Sequence, residues 1–226
     1  MRMVLPFLLA FSVLFGPADG AAPTLNLPPD QALQALKQGN QRFVSGKGLS
    51  CVNAGFSVQE LSAGQAPNAI VLSCSDSRVP PEQIFDQELG QIFVIRVAGN
   101  VLNAENLASM EYAIEHLGSR LIVILGHESC GAVKSALDIP PTETAGSPSL
   151  DRLLAEIRAN LGAFSAPSDP KLRSAVQTNV SAVAGELIQR SKVIAGAVSS
   201  GQVQIAQGIY DIDTGHVDFW SSSFQG

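Results

Sequence analysis

Three side chains in this 226-residue sequence are suited to a soft metal ion, and they fall in two short segments. Cys74 opens the run Cys74-Ser-Asp76-Ser-Arg78, and His127 and Cys130 frame the run His127-Glu-Ser-Cys130-Gly131. Two thiolates and an imidazole suit Zn2+ better than Mg2+ or Ca2+, and a Cys2His set in catalytic zinc sites leaves a fourth position open. Asp76 offers an oxygen for that position and closes the site when it binds. It can instead turn to Arg78, whose planar guanidinium takes a carboxylate through two hydrogen bonds, and the fourth position then opens to water. A purely structural Cys2His-Asp site would account for the metal but leave Arg78 without a task. The sequence has no Cys-x-x-Cys pair, and a thiol oxidoreductase cycling Cys74 and Cys130 would need both sulfurs free of metal.

Each segment directly follows a short apolar run, 69–73 before Cys74 and 120–126 before His127. Such runs suit strands buried on both faces. In open α/β sheets, ligands bind beyond the carboxyl ends of the strands, so two neighbouring strands bring both segments to one place. A third run covers 91–97. Helical spacing follows Asp30, which reads as an N-cap, through Val44. It recurs over 103–117 with Gly118 as C-cap, over 131–137, and over roughly 149–161 and 170–191. Residues 46–64 read as a loop with a short helical piece, and 140–148 as a turn-rich connection. Residues 203–212 and 217–220 read as two strands around an Asp213-Thr-Gly215 turn. Buried strands alternating with helices predict an α/β fold: a central, mostly parallel β-sheet with an antiparallel edge strand, flanked by helices.

The remaining features bound the function. The formal charge of −6 and the lack of any Lys/Arg block argue against a nucleic-acid partner. Arg2, an apolar stretch over 4–15, a Gly16-Pro17 break and the small residues 18–22 have the layout of a secretory signal peptide. Residues 1–20 are therefore expected to be a signal peptide and 21–226 a single catalytic domain, exported to the periplasm or beyond. An uncleaved N-terminal anchor is the alternative. No later segment is apolar over eighteen residues, so the mature chain is expected to lack a membrane span. Three cysteines cannot all pair within one chain. No motif claims Cys51, which is expected to be a free or buried thiol or to form an intermolecular disulfide.

The two motifs, in this order and at this separation, resemble the signature motifs of beta-class carbonic anhydrases. The resemblance runs from about Gln31 to Gly215. The segment 36–43 is similar to the family's N-terminal helix and 208–215 to its closing strand. It implies one zinc ion per chain and reversible hydration of carbon dioxide to bicarbonate and a proton, by attack of zinc-bound hydroxide on CO2. By position, Gln65 matches a substrate-binding glutamine. Phe93 and Tyr112 match aromatic residues that line the pocket across a dimer interface, and the backbone N–H near Gly131 steadies the substrate oxygens. The resemblance thus implies a homodimer or homotetramer. Ala98 stands where many relatives carry valine. Arg96 matches an arginine of a regulatory bicarbonate pocket found in a subset of relatives, but Val71 replaces the tryptophan of that pocket, so the open-site type is expected. His116 and His216 read as ordinary surface histidines. Hydrolases of carbonyl sulfide or carbon disulfide are similar to this family and share its ligands, and a non-enzymatic zinc protein is the bland alternative.

Overall fold

A computed structural model describes residues 26–48, 61–164 and 170–220. The expected signal peptide, Cys51 and most of the 46–64 loop lie outside them. Five strands form one sheet: β1 (Ala69–Ser73), β2 (Ile92–Arg96), β3 (Leu121–His127), β4 (Gln204–Tyr210) and β5 (Val217–Trp220). Their order is β2-β1-β3-β4-β5. The first four are parallel, and β5 pairs antiparallel with β4 at the edge. The α/β fold class and its antiparallel edge strand are thus as expected. β1 and β3 are wholly buried and apolar up to their last residues, Ser73 and His127, as befits central parallel strands covered on both faces.

The helices are α1 (Pro29–Val44), α2 (Pro81–Ile84), α3 (Ala104–Glu115), α4 (Gly131–Asp138), α5 (Pro148–Leu161), α6 (Arg173–Arg190) and α7 (Lys192–Ser199). Several boundaries depart from the sequence expectation, among them the end of α3, where His116 and not Gly118 is the C-cap. Asp30 is not the N-cap of α1: the helix begins at Pro29, after Pro28. Proline's fixed φ and missing N–H favour the first helical turn, and Asp30 sits within that turn, favourable to the helix dipole. The helix expected over 170–191 begins only at Arg173 and ends at Ser191 as expected, and a further helix, α7, which the sequence reading did not include, follows it. Ser191 leaves the helical conformation and its Oγ accepts from the Ile194 N–H, capping α7.

Two contacts shape the molecule around the strand ends. Gly126, in β3 just before His127, lies under α6. A Cβ there would stand 2.5 Å from Val176 Cγ1 and 2.7 Å from Val180 Cγ2. Gly126→Ala is therefore expected to lower stability by about 1–3 kcal/mol, the usual cost of overpacking. A urea unfolding midpoint equal to the wild type's would contradict this close approach. The second contact joins the two ends of the fold. Asn40, buried on α1, donates to the Ile84 and Gly215 carbonyls at 3.1 and 2.8 Å, and its Oδ1 accepts from the Val217 N–H at 2.9 Å. All three side-chain hydrogen bonds are made inside the protein, which offsets the cost of burying an amide.

Candidate metal centre

The parallel register brings the carboxyl ends of β1 and β3 side by side, Ser73 opposite Leu125. Cys74 leaves β1 at this level, and His127 is the last residue of β3. Cys130 stands at the N-cap of α4, where the positive end of the helix dipole favours a thiolate. Among the described residues these three form one metal-capable group: their donor atoms lie within 4.8 Å of one another and all three residues are buried. The sequence-predicted ligands are therefore together.

The polar surroundings fix how they present their donors. His127 Nδ1 lies 2.9 Å from the Glu128 carbonyl, an oxygen that only accepts, so Nδ1 carries the proton and Nε2 the lone pair. Nε2 is buried and has no hydrogen-bond partner in the protein. Cys130 hydrogen-bonds the Cys74 sulfur and holds Cys74 well below the usual thiol range. Burial opposes this, while the backbone N–H groups of Asp76 and Gly99 add to it. The same hydrogen bond, burial and repulsion push Cys130 the other way. An unpartnered buried imidazole nitrogen beside a thiol pair is a donor set with one face left to fill, and it fits Zn2+.

Asp76 is not among these donors. Arg78 binds its carboxylate through both oxygens, Nε to Oδ1 at 2.9 Å and one terminal nitrogen to Oδ2 at 2.8 Å, and the Arg78 backbone N–H adds a third bond at 3.0 Å. The Arg78 hydrogen bond holds the Asp76 carboxyl far below the usual carboxylate range, so it is ionised at neutral pH. Asp76 Oδ2 nonetheless lies only 3.9 Å from His127 Nε2. Of the two arrangements open to Asp76, the structure shows the arginine-paired one.

Supports for the site include Arg96, which the sequence reading matched only to a regulatory pocket, and residues that it left aside. Arg96, opposite Ser73 at the end of β2, donates to the carbonyls of Cys74 and Asp76 and ties down the Cys74–Arg78 loop. A lone arginine ending an apolar strand was the available signal. The Gly99 N–H lies 3.4 Å from Cys74 Sγ, and the Gly99 carbonyl accepts from Asn179 of α6, which in turn accepts from Asn160 of α5. Gly99, Asn100 and Ser129 all have positive φ, so the backbone around the ligands is held in conformations few residues adopt freely.

The expected substrate residues divide. Gly131 opens α4 beside Cys130, and open space surrounds the place of a Cβ on it. Gln65, Phe93 and Tyr112 lie elsewhere. Gln65 is exposed and precedes β1, whereas Cys74 follows it, so about 17 Å of strand separates their ends of the sheet. The Pro67 carbonyl accepts from Ser119, ahead of β3, which places this segment at the amino end. Phe93 pairs with Ile70 near the same end of β2 and is half-buried. Tyr112 lies in the last turn of α3, 50% exposed, its ring against His116. A single chain therefore does not bring these three residues to its own metal ligands. His116 and His216 are both exposed.

Comparison with known proteins agrees with this geometry. Residues 69–217 match the family model for carbonic anhydrase. Carbonic anhydrase 2 of Mycobacterium tuberculosis is 35% identical over 84% of this chain and 92% of its own length. The carbonic anhydrase of Mycolicibacterium smegmatis is 34% identical over 87% and 95%. Among solved structures, the beta-carbonic anhydrase CcaA superposes with a TM-score of 0.68 at 30% identity, covering 84% of this chain and 95% of that one. One of two tetrameric beta-carbonic anhydrases from Sordaria macrospora gives 0.65 at 26% identity, covering 85% and 98%. Relatives of this closeness, matched over most of their length, show that the chain belongs to the beta-carbonic anhydrase family and is, as an enzyme, a carbonic anhydrase.

Proposed function

We propose that this carbonic anhydrase depends on one Zn2+ per chain, held by Cys74, His127 and Cys130. The observation that carries the reading is the buried, unpartnered His127 Nε2 in a group whose three donor residues, two of them cysteines, bring their ligand atoms within 4.8 Å of one another. When bound, the ion supplies Lewis acidity, lowering the pKa of a water so that a nucleophile exists near neutral pH. The chain's own residues do the rest. Asp76, ionised and locked by Arg78, directs Oδ2 toward the ligands and accepts a hydrogen bond from the attacking water, orienting its lone pair toward carbon dioxide. The open face beside Gly131 receives the small substrate, and the N–H groups opening α4 face the oxygens on which charge develops.

The second copy of the chain has a defined part in this reading. Gln65, Phe93 and Tyr112 stand at the wrong end of their own sheet but are half-buried or exposed, available to a neighbour's metal centre. A tetrameric neighbour supports an oligomer of at least two chains. Sedimentation of the purified enzyme is expected to give at least twice the mass of one chain. A monomer with full activity would remove Gln65, Phe93 and Tyr112 from the site. Export is part of the same proposal and rests on the N-terminal layout. No helix among the described residues is long and apolar enough to cross a membrane.

The test is stopped-flow carbon dioxide hydration with zinc measured in the same sample. Rapid hydration lost on chelation is the expected result. Full zinc without hydration would overturn the reading and make carbon disulfide the next substrate to try. Two thiolates and a neutral imidazole would cancel the charge of a Zn2+ ion held by these residues, which would then acidify water less than one in a three-histidine site, and the rate is expected to rise from about pH 7 to about pH 9. A flat profile over that range would contradict the thiolate ligand set.

A further inference from the structure

Glu128 lies between two of the proposed ligands, is 2% exposed, and is given no part in the chemistry above. A buried carboxylate is costly unless paired. Here it is paired twice: Arg173 donates to Oε1 at 2.7 Å, and Lys171 Nζ lies 3.2 Å from Oε2. Lys171 stands two positions ahead of α6 and Arg173 opens it, both more than forty positions away in sequence. Each is anchored in turn to the β4–β5 hairpin, Lys171 on Asp213 at 2.8 Å and Arg173 on Asp218.

The backbone of the same loop is held just as firmly. The Glu128 N–H donates to the Tyr210 carbonyl at 3.0 Å, and the Ser129 N–H donates to the Lys171 carbonyl at 2.7 Å. Ser129 adopts φ +55°, a conformation that persists in a non-glycine residue only when its surroundings over-determine it. The Glu128 carbonyl is the acceptor that sets the His127 tautomer. The side chain of Glu128 thus fastens the residue whose carbonyl aims one proposed ligand, two positions ahead of another.

We propose that Glu128, clamped by Lys171 and Arg173, is a positioning residue that holds His127 and Cys130 in register for the metal, an inference that rests on the zinc site proposed above. Outer partners of this kind govern how tightly a metal is kept. A residue that merely stabilised the fold would lower the melting temperature without changing how fast folded protein releases its ion.

The experiment measures zinc release from the purified enzyme to a chromogenic chelator, beside the absorption spectrum of the Co2+-substituted protein and the thermal midpoint. Glu128→Gln keeps the shape and removes the charge. It is expected to release zinc about 10–100-fold faster than wild type, with altered Co2+ bands. Asp86→Asn, which weakens the remote Arg42–Asp86 pair, serves as the comparison: a lower midpoint with wild-type zinc release. Should Glu128→Gln fail to fold, Lys171→Met weakens the clamp from its exposed side and is expected to speed release more modestly. Wild-type release rates and Co2+ spectra in the variant measured would overturn the proposal and leave Glu128 a fold-stabilising residue. Wild-type enzyme that carries no zinc at the outset would overturn the zinc reading itself, a different result seen before any variant is made.

Discussion

Replacing His127 by alanine is expected to take zinc from about one ion per chain to near none, and carbon dioxide hydration down by at least about 10³-fold. The expectation follows from how few donors the site has. His127 contributes the buried Nε2 that no protein group engages, and without it only two sulfurs remain. Asp76 cannot take its place without abandoning the Arg78 pair. Elemental analysis and stopped-flow rates on the same preparation check the result, with circular dichroism to confirm that the sheet is intact. A folded His127→Ala protein that keeps its zinc and its rate would mean that the metal centre lies elsewhere.

The second large effect separates holding the metal from using it. Asp76→Ala is expected to retain zinc and lose about 10²-fold or more in kcat, the scale of a positioned proton acceptor. In the structure the Asp76 carboxylate is already committed to Arg78, so its removal takes nothing from the three metal donors. What disappears is the oxygen 3.9 Å from His127 Nε2 that would orient the attacking water. Arg78→Lys supplies a graded version: it keeps the positive charge but loses the two-point grip, so a smaller fall in kcat is expected. Full activity in Asp76→Ala would refute the orienting role and leave Asp76 as no more than a surface ion-pair partner.

The parts of this site that were legible in the sequence share one property: their chemistry and their strand are adjacent. Cys74 and His127 follow apolar runs whose length and composition mark buried parallel strands, and donor residues at such strand ends are informative by type alone. The Asp76–Arg78 pair spans only two positions and needs no tertiary knowledge. The clamp on Glu128 is different, because Lys171 and Arg173 meet it only after α6 has packed on β3 and β4, and nothing local marks them. The substrate residues show the converse limit. That Gln65 lies nine positions before Cys74 says little until β1 is placed between them, whereupon the two fall at opposite ends of the sheet. Helix α7 went unread for a similar reason, since no glycine or proline marks its start at Ser191 and separates it from α6.

The tether at Asn40 bears on the order in which the chain acquires its structure. Its partners Gly215 and Val217 lie 175 and 177 positions downstream, beside the last strand of the sheet. A chain emerging amino end first therefore holds α1 in readiness, with a polar amide that has nothing to bind until almost the whole polypeptide has appeared. Closing so long a loop is entropically slow, and non-local pairings of this kind delay folding. The tether is thus a buckle fastened late and from the carboxyl end, joining the first helix to the last strand of the sheet only once both have formed.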